Sequence, residues 1–250
     1  MKTVVQKTKS FLFETKRRFF QNRNFIKKNV SIKLGMRRLF FSQTFDNNKY
    51  FIDQILKPHE GINAAVYIQN PQILIDQSED KLALDPSVCY RLELSKFNPI
   101  KGKNRNVVVR KIRLDDVDGI NRIYGYYGMC PIDRETVTEN MHSSVVTYFV
   151  AEKNGEILGI VIGVDHVKLF NSPERGSTLW GLAVLPGSRG IGIGKLLINY
   201  IVEHYQTRGI SYTDLYVDYY NRGAINLYVK VGFRKIPRFF LVPRSDSHTV

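Results

Sequence analysis

Cysteine is nearly missing from this 250-residue chain, which has only Cys89 and Cys130. Two thiols cannot build a disulfide framework, and neither stands in a metal-ligand spacing. The chain also lacks a long apolar run. The longest, residues 157–164, is broken by Gly159 and Gly163 and falls well short of the roughly 20 residues needed to cross a bilayer. Disulfide knots, collagen and membrane channels are thereby excluded, and a reduced cytoplasmic setting is expected. What is present is a 43% hydrophobic composition with 15 Phe and 14 Tyr, enough for a packed core.

Acidic residues are scarce in one place. The first 40 residues hold 12 Lys/Arg against Glu14 alone, whereas the other 210 hold 25 basic against 22 acidic residues. The net charge of +14 therefore describes an N-terminal arm (1–34) and not the globular part. Three readings of the arm stand: a loosely docked tail, an interfacial or targeting helix suited to anionic lipid, and nucleic-acid contact, the last without any recognisable binding module.

Beyond the arm, residues 38–45 read as a strand, 47–56 as a helix, and 64–69 and 88–94 as strands, forming a small α/β accessory module (35–100). Turn formers and charges at 98–104 separate it from a longer unit (106–243) followed by a short tail (244–250). In that unit 107–112 is a strand, Asp115 and Asp116 open a helix, and 133–142 forms a second helix. Asn154-Gly155 joins a hairpin of strands 148–153 and 156–167. Residues 179–185 are an apolar strand, 212–217 another, and 224–231 a helix with Gly232 as its left-handed cap. Residues 233–236 and 239–242 supply the last strand material. The sequence shows no internal repeat.

Chemistry concentrates where strand 179–185 runs into Pro186-Gly187-Ser188-Arg189-Gly190-Ile191-Gly192-Ile193-Gly194-Lys195, which opens an amphipathic helix. Glycines admit positive φ and bring backbone N–H groups close to a ligand, and a helix start adds unpaired donors and partial positive charge. A phosphate is the natural guest, with Arg189 as a charged partner. The spacing fits neither the Walker loop nor the dinucleotide fingerprint.

The run Arg189-Gly190-Ile191-Gly192-Ile193-Gly194 resembles the R/Q-x-x-G-x-G/A pyrophosphate loop of the GNAT superfamily of N-acetyltransferases. Asn221, Ala224, Leu227, Tyr228, Gly232 and Phe233 are similar to its second signature, so the resemblance spans roughly 106–242. Arg37 to Phe45, Val164-Asp165-His166 and Pro173 to Trp180 resemble the acetyltransferase half of N-acetylglutaminylglutamine synthetases. The ATP-grasp ligase half of those enzymes has no counterpart in these 250 residues, so ligase activity is not carried over.

The resemblance implies an α/β fold: a mixed, mostly antiparallel twisted sheet flanked by helices, preceded by the accessory module and the arm. It implies acetyl-CoA as cosubstrate, no metal, and transfer of acetyl to an amino acid, short peptide or other small amine. Backbone groups of Leu182, Ala183 and Val184 would hold the pantetheine arm, and amides of Arg189, Gly190, Ile191, Gly192, Ile193, Gly194 and Lys195 the pyrophosphate. Asn221 and Tyr228, seven residues apart, face one side of their helix. Tyr228 is the expected proton donor to the departing thiolate, because a phenol with an ordinary pKa near 10 stays protonated at neutral pH. Glu174 is the first choice of general base, with Asp165 and His166 behind it. A protein acetyltransferase and a non-catalytic acyl-CoA-binding module are the competing readings. No specific nucleic acid is expected, while a peripheral membrane or partner contact through the arm, and a homodimer, stay open.

Overall fold

The computed structural model of the chain describes residues 26–99, 106–188 and 190–244. Most of the basic arm, the 244–250 tail beyond Arg244, and Arg189 lie outside these residues. In the first half the order is β1 (Ser31–Leu34), β2 (Arg37–Phe41), α1 (Asn48–Leu56), β3 (Ile62–Ile68), α2 (Pro71–Gln77), β4 (Leu82–Leu84) and β5 (Ser87–Glu93). The second half runs β6 (Val108–Lys111), α3 (Val117–Gly125), α4 (Arg134–Met141), β7 (Val146–Lys153), β8 (Glu156–Asp165), α5 (His166–Phe170) and β9 (Gly176–Val184). It closes with α6 (Ile193–Thr207), β10 (Tyr212–Asp218), α7 (Arg222–Val231), β11 (Arg234–Lys235) and β12 (Phe239–Pro243).

Local chemistry explains the element ends. Asn47 caps α1 through its side chain, Asp133 caps α4, Asp165 caps α5 and Asn221 caps α7. Asn154 and Gly155 both take positive φ (52° and 82°), as a type I′ hairpin turn requires between β7 and β8. Strand β1 lies inside the segment assigned to the arm, so that boundary moves. The chain is already docked at Lys27, whose N–H donates to the Phe170 carbonyl, and Lys28 pairs with Asp46.

Two sheets result, ordered β1-β2-β3-β12-β4 and β11-β5-β10-β9-β8-β7-β6. Their connectivity is the same. A hairpin leads into a strand (β2 or β9), a crossover helix (α1 or α6), a parallel strand (β3 or β10), a second helix (α2 or α7) and two further strands. A topological repeat is therefore present although the sequence shows none. In each half the final strand crosses to the other sheet. β5 enters between β10 and β11, and β12 enters between β3 and β4, antiparallel to both neighbours in each case. The accessory module and the larger unit are thus interlocked by reciprocal strand exchange.

Period-two alternation assigns the faces. Leu39 and Phe41 of β2, Ala64 and Val66 of β3, and Phe240 of β12 join Ile162, Val164 and Trp180 in a core shared by the two sheets. Phe40, Ala65 and Leu241 point the other way, under α1 and α2. The opposite face of the larger sheet is covered by α6 and α7.

Candidate active site

The parallel ladder between β9 and β10 covers only Gly176–Leu179 against Tyr212–Leu215. Beyond those four pairs the strands part, opening a gap toward their carboxyl ends. The β8–β9 register shifts between Ile160 and Ile162, where Gly181 takes φ +56°. A Cβ there would lie 2.3 Å from the Tyr124 hydroxyl, so this bulge requires glycine. The Leu185 N–H donates to the Leu158 carbonyl at 2.8 Å, toward β8. By alternation the Ala183 backbone also faces β8, whereas the N–H groups of Leu182 and Val184 face the gap. Of the three expected pantetheine contacts, Leu182 and Val184 thus face the gap and Ala183 faces β8.

From the carboxyl end of α3 and the turn after it, two tyrosines reach the same edge. Tyr124 donates to the Gly181 carbonyl at 2.9 Å and Tyr127 to the Val184 carbonyl at 2.6 Å. Sequence analysis did not single out either residue: a hydroxyl placed to meet a distant strand edge carries no local signal.

Gly190 and Gly192 take φ +84° and +88°, and Gly192 is the left-handed residue preceding α6. No side chain caps this 15-residue helix and its first turn holds no acidic residue, so the amides of Ile193, Gly194 and Lys195 are left for an anion. Ile191 is exposed, and Gly194 packs tightly against Leu227 of α7, fixing the two helices together. Arg189 lies outside the described residues.

Asn221 accepts from the Ala224 N–H at 3.1 Å and so serves as the α7 cap. Tyr228 is 7% exposed and stacks edge-on against Phe233 in the cluster that includes Leu182, Val184 and Ile193. Burial pushes its hydroxyl above the ordinary tyrosine range, which keeps it protonated. Among the described residues no hydrogen bond is made by that hydroxyl, leaving its proton uncommitted.

The three base candidates lie elsewhere. Glu174 precedes β9 and accepts from the Tyr212 hydroxyl at 2.8 Å. The nine-residue strand then carries the chain roughly 30 Å before the loop begins. Asp165 is paired with Ser177 at the same far end; it caps α5 and meets Arg208 at 3.2 Å. His166 is fully buried, bonded to Thr178, and packed among Phe41, Tyr67 and Phe170. Burial lowers its pKa to about 3. The structure therefore does not bring Glu174, Asp165 or His166 to the gap: an antiparallel β8–β9 pair puts the end of one strand beside the start of the next, opposite the loop.

A crevice of about 780 Å³ lies between α3 and the β7–β8 hairpin. Within it Arg110 is held by Asp116 and Glu152, and Arg122 by Glu156. Among the described residues no cluster of His, Cys, Asp or Glu is arranged to hold a metal, and no helix is long and apolar enough to cross a membrane.

Comparison with known proteins agrees with this geometry. The family model described as acetyltransferase (GNAT) family matches residues 120–233. A mycothiol acetyltransferase of Streptomyces avermitilis is 33% identical over 86 residues, 34% of this chain and 26% of that protein. The chain thus spans about a quarter of the length of the mycothiol acetyltransferases it matches. An N-alpha-acetyltransferase of Sulfurisphaera tokodaii is 28% identical over 165 residues, 58% of this chain and 92% of its own. A crystallised GCN5-related N-acetyltransferase from Kribbella flavida shares the fold across 88% of this chain and 91% of its own, with TM-score 0.56 and 11% identity. The expected mixed, mostly antiparallel twisted sheet flanked by helices is what the structure has, and residues 120–233 are similar to the acetyltransferase (GNAT) family.

Proposed function

We infer that this chain transfers the acetyl group of acetyl-CoA to the amine of an amino acid, short peptide or other small molecule. The observation that carries the reading is the gap between β9 and β10, which opens directly onto the uncapped start of α6. Loop and helix amides from Gly190 to Lys195, with Arg189, hold the pyrophosphate. The Leu182 and Val184 N–H groups line the gap for the pantetheine arm and polarise the thioester carbonyl.

Chemically, the acceptor nitrogen forms a bond to the carbonyl carbon while the carbon–sulfur bond breaks. The amine gives up its proton to solvent water, Tyr228 supplies one to the leaving sulfur, and the phenolate regains its proton from solvent. Asn221 positions α7, and with it Tyr228. Glu174 has no part in this scheme because of where it sits. The resemblance of residues 37–45 and 173–180 to the acetyltransferase half of N-acetylglutaminylglutamine synthetases makes glutamine and glutaminylglutamine the first acceptors to assay.

Calorimetry with coenzyme A and a thiol-release assay across amines test the reading. Tyr228→Phe should lower kcat about 10²-fold or more while leaving acetyl-CoA affinity nearly unchanged. Full activity in that variant would remove Tyr228 as the proton donor, and the absence of any binding heat from coenzyme A would remove the reading altogether.

A further inference from the structure

We propose that Arg37 and Trp180 form the seat for a carboxylate on the acetyl acceptor, an inference that rests on the transfer reading above. Two buried donors lack partners beside the Gly181 bulge. The Trp180 Nε1 belongs to a side chain 91% buried, on the residue preceding Gly181, and makes no hydrogen bond. The Arg37 Nε is likewise buried and unpaired.

Both groups rest on one ring. The Arg37 guanidinium carbon stands 5.8 Å from the Phe240 centroid, and the Trp180 ring centroid 6.1 Å from it. Tyr216 stacks on Trp180 at 5.9 Å, closing the far wall. The two unpaired donors are thus neighbours of the same Phe240 ring.

An unsatisfied buried donor is costly, about 1–3 kcal/mol, and two in one place are unusual outside functional sites. Arg37 has no carboxylate partner among the described residues. Its Nη2 reaches only the Cys130 sulfur, a weak acceptor, at 3.8 Å. Its side chain is nevertheless partly exposed, so an anion can reach it from solvent. A planar guanidinium matches the two oxygens of a carboxylate, and the indole N–H adds a second direction.

The assignment also gives the first half of the chain a task. Arg37 belongs to β2, and Phe240 to the strand exchanged into that sheet, while Trp180 and the cofactor gap belong to the larger sheet. One half anchors the acceptor and the other grips the acetyl donor.

Trp180 is the only tryptophan in the chain, so its fluorescence reports this seat directly. The full-length protein is titrated with amino acids, glutaminylglutamine and their carboxamides, and thiol release from acetyl-CoA is measured with the same panel. The expected result is saturable fluorescence change and lower KM for the acids, by about tenfold or more over the amides. Arg37→Gln should erase that preference without changing KM for acetyl-CoA, and Arg37→Lys should retain part of it. Equal responses to acid and amide throughout the wild-type panel would overturn the carboxylate seat, whatever the variants do. Acid-selective fluorescence without thiol release would leave the seat standing and remove acetyl transfer. Thiol release with no acid preference would do the reverse.

Discussion

His166 is a neutral imidazole in an aromatic cage, and its protonation is coupled to folding. In the folded chain burial holds its pKa at about 3, against an ordinary value of 6.5. The unfolded chain therefore binds the proton more readily, so stability is intact above pH 6.5 and falls as the pH drops, by roughly 1.4 kcal/mol per unit at most. His204, half-buried beside Arg208, shifts in the same direction. Asp116 and Asp133 are lowered from 3.8 and contribute only in more acidic solution. Thermal melts should show a lower Tm at pH 5 than at pH 7.5, with a shallower dependence in His166→Phe; identical melts at the two pH values would contradict the assignment. Another buried group at this scale secures the exchanged strand. Arg91 of β5 grips the fully buried Asp214 of β10 through two bonds of 2.7 and 2.9 Å, and the two are direct register partners. Tyr67, at φ +66°, donates its hydroxyl to the same carboxylate at 3.1 Å and its backbone N–H to the Tyr216 hydroxyl at 2.9 Å. The strained backbone at Tyr67 is held by this network.

At the scale of elements, β9 carries the most information in the chain. Its first four residues pair with β10, its bulge turns at Gly181, and its last residues face the gap. Gly181→Ala puts a methyl group onto the Tyr124 hydroxyl and a left-handed φ on an L side chain. The expected loss is about 1–3 kcal/mol of stability in denaturant titration, together with weaker coenzyme A binding. A variant of wild-type stability and affinity would show that the bulge is not needed. Long periodic elements were legible in sequence: β7, β8, α6, β10 and α7 all fall within a few residues of where alternation and caps put them. The short ones were not. β1, α2, β4 and α5 have three to seven residues, too few for a period to show, and tertiary packing decides them. Strand β8 ends at Asp165 because that side chain accepts from the Lys168 N–H and starts α5, where the apolar run alone extends to Val167.

For the whole molecule, reciprocal exchange makes the two sheets depend on each other. Removing β12 takes Phe240 and the fully buried Leu241 out of both faces of the smaller sheet, at about 1.5–3 kcal/mol for each side chain. Removing β5 leaves β10 and β11 without the strand between them. Residues 106–250 expressed alone should therefore fail to fold. Co-expressed with residues 1–105 they should copurify as one complex, and the intact chain should melt in a single transition. A stable, soluble 106–250 fragment with the Tm of the intact chain would show that the exchange contributes nothing to folding.

The sequence by itself marked the elements of the proposed donor side: the glycine loop, the helix it opens, and the motif positions of Asn221 and Tyr228. These are contiguous or helix-spaced features, which local backbone geometry translates directly into place. Only the tertiary structure decided the proposed acceptor side. Strand pairing sent Glu174, Asp165 and His166 to the wrong end of the sheet, while β12 and β2 brought Phe240 and Arg37 to Trp180. Contacts between residues more than a hundred positions apart depend on register and strand order, and no local pattern encodes them.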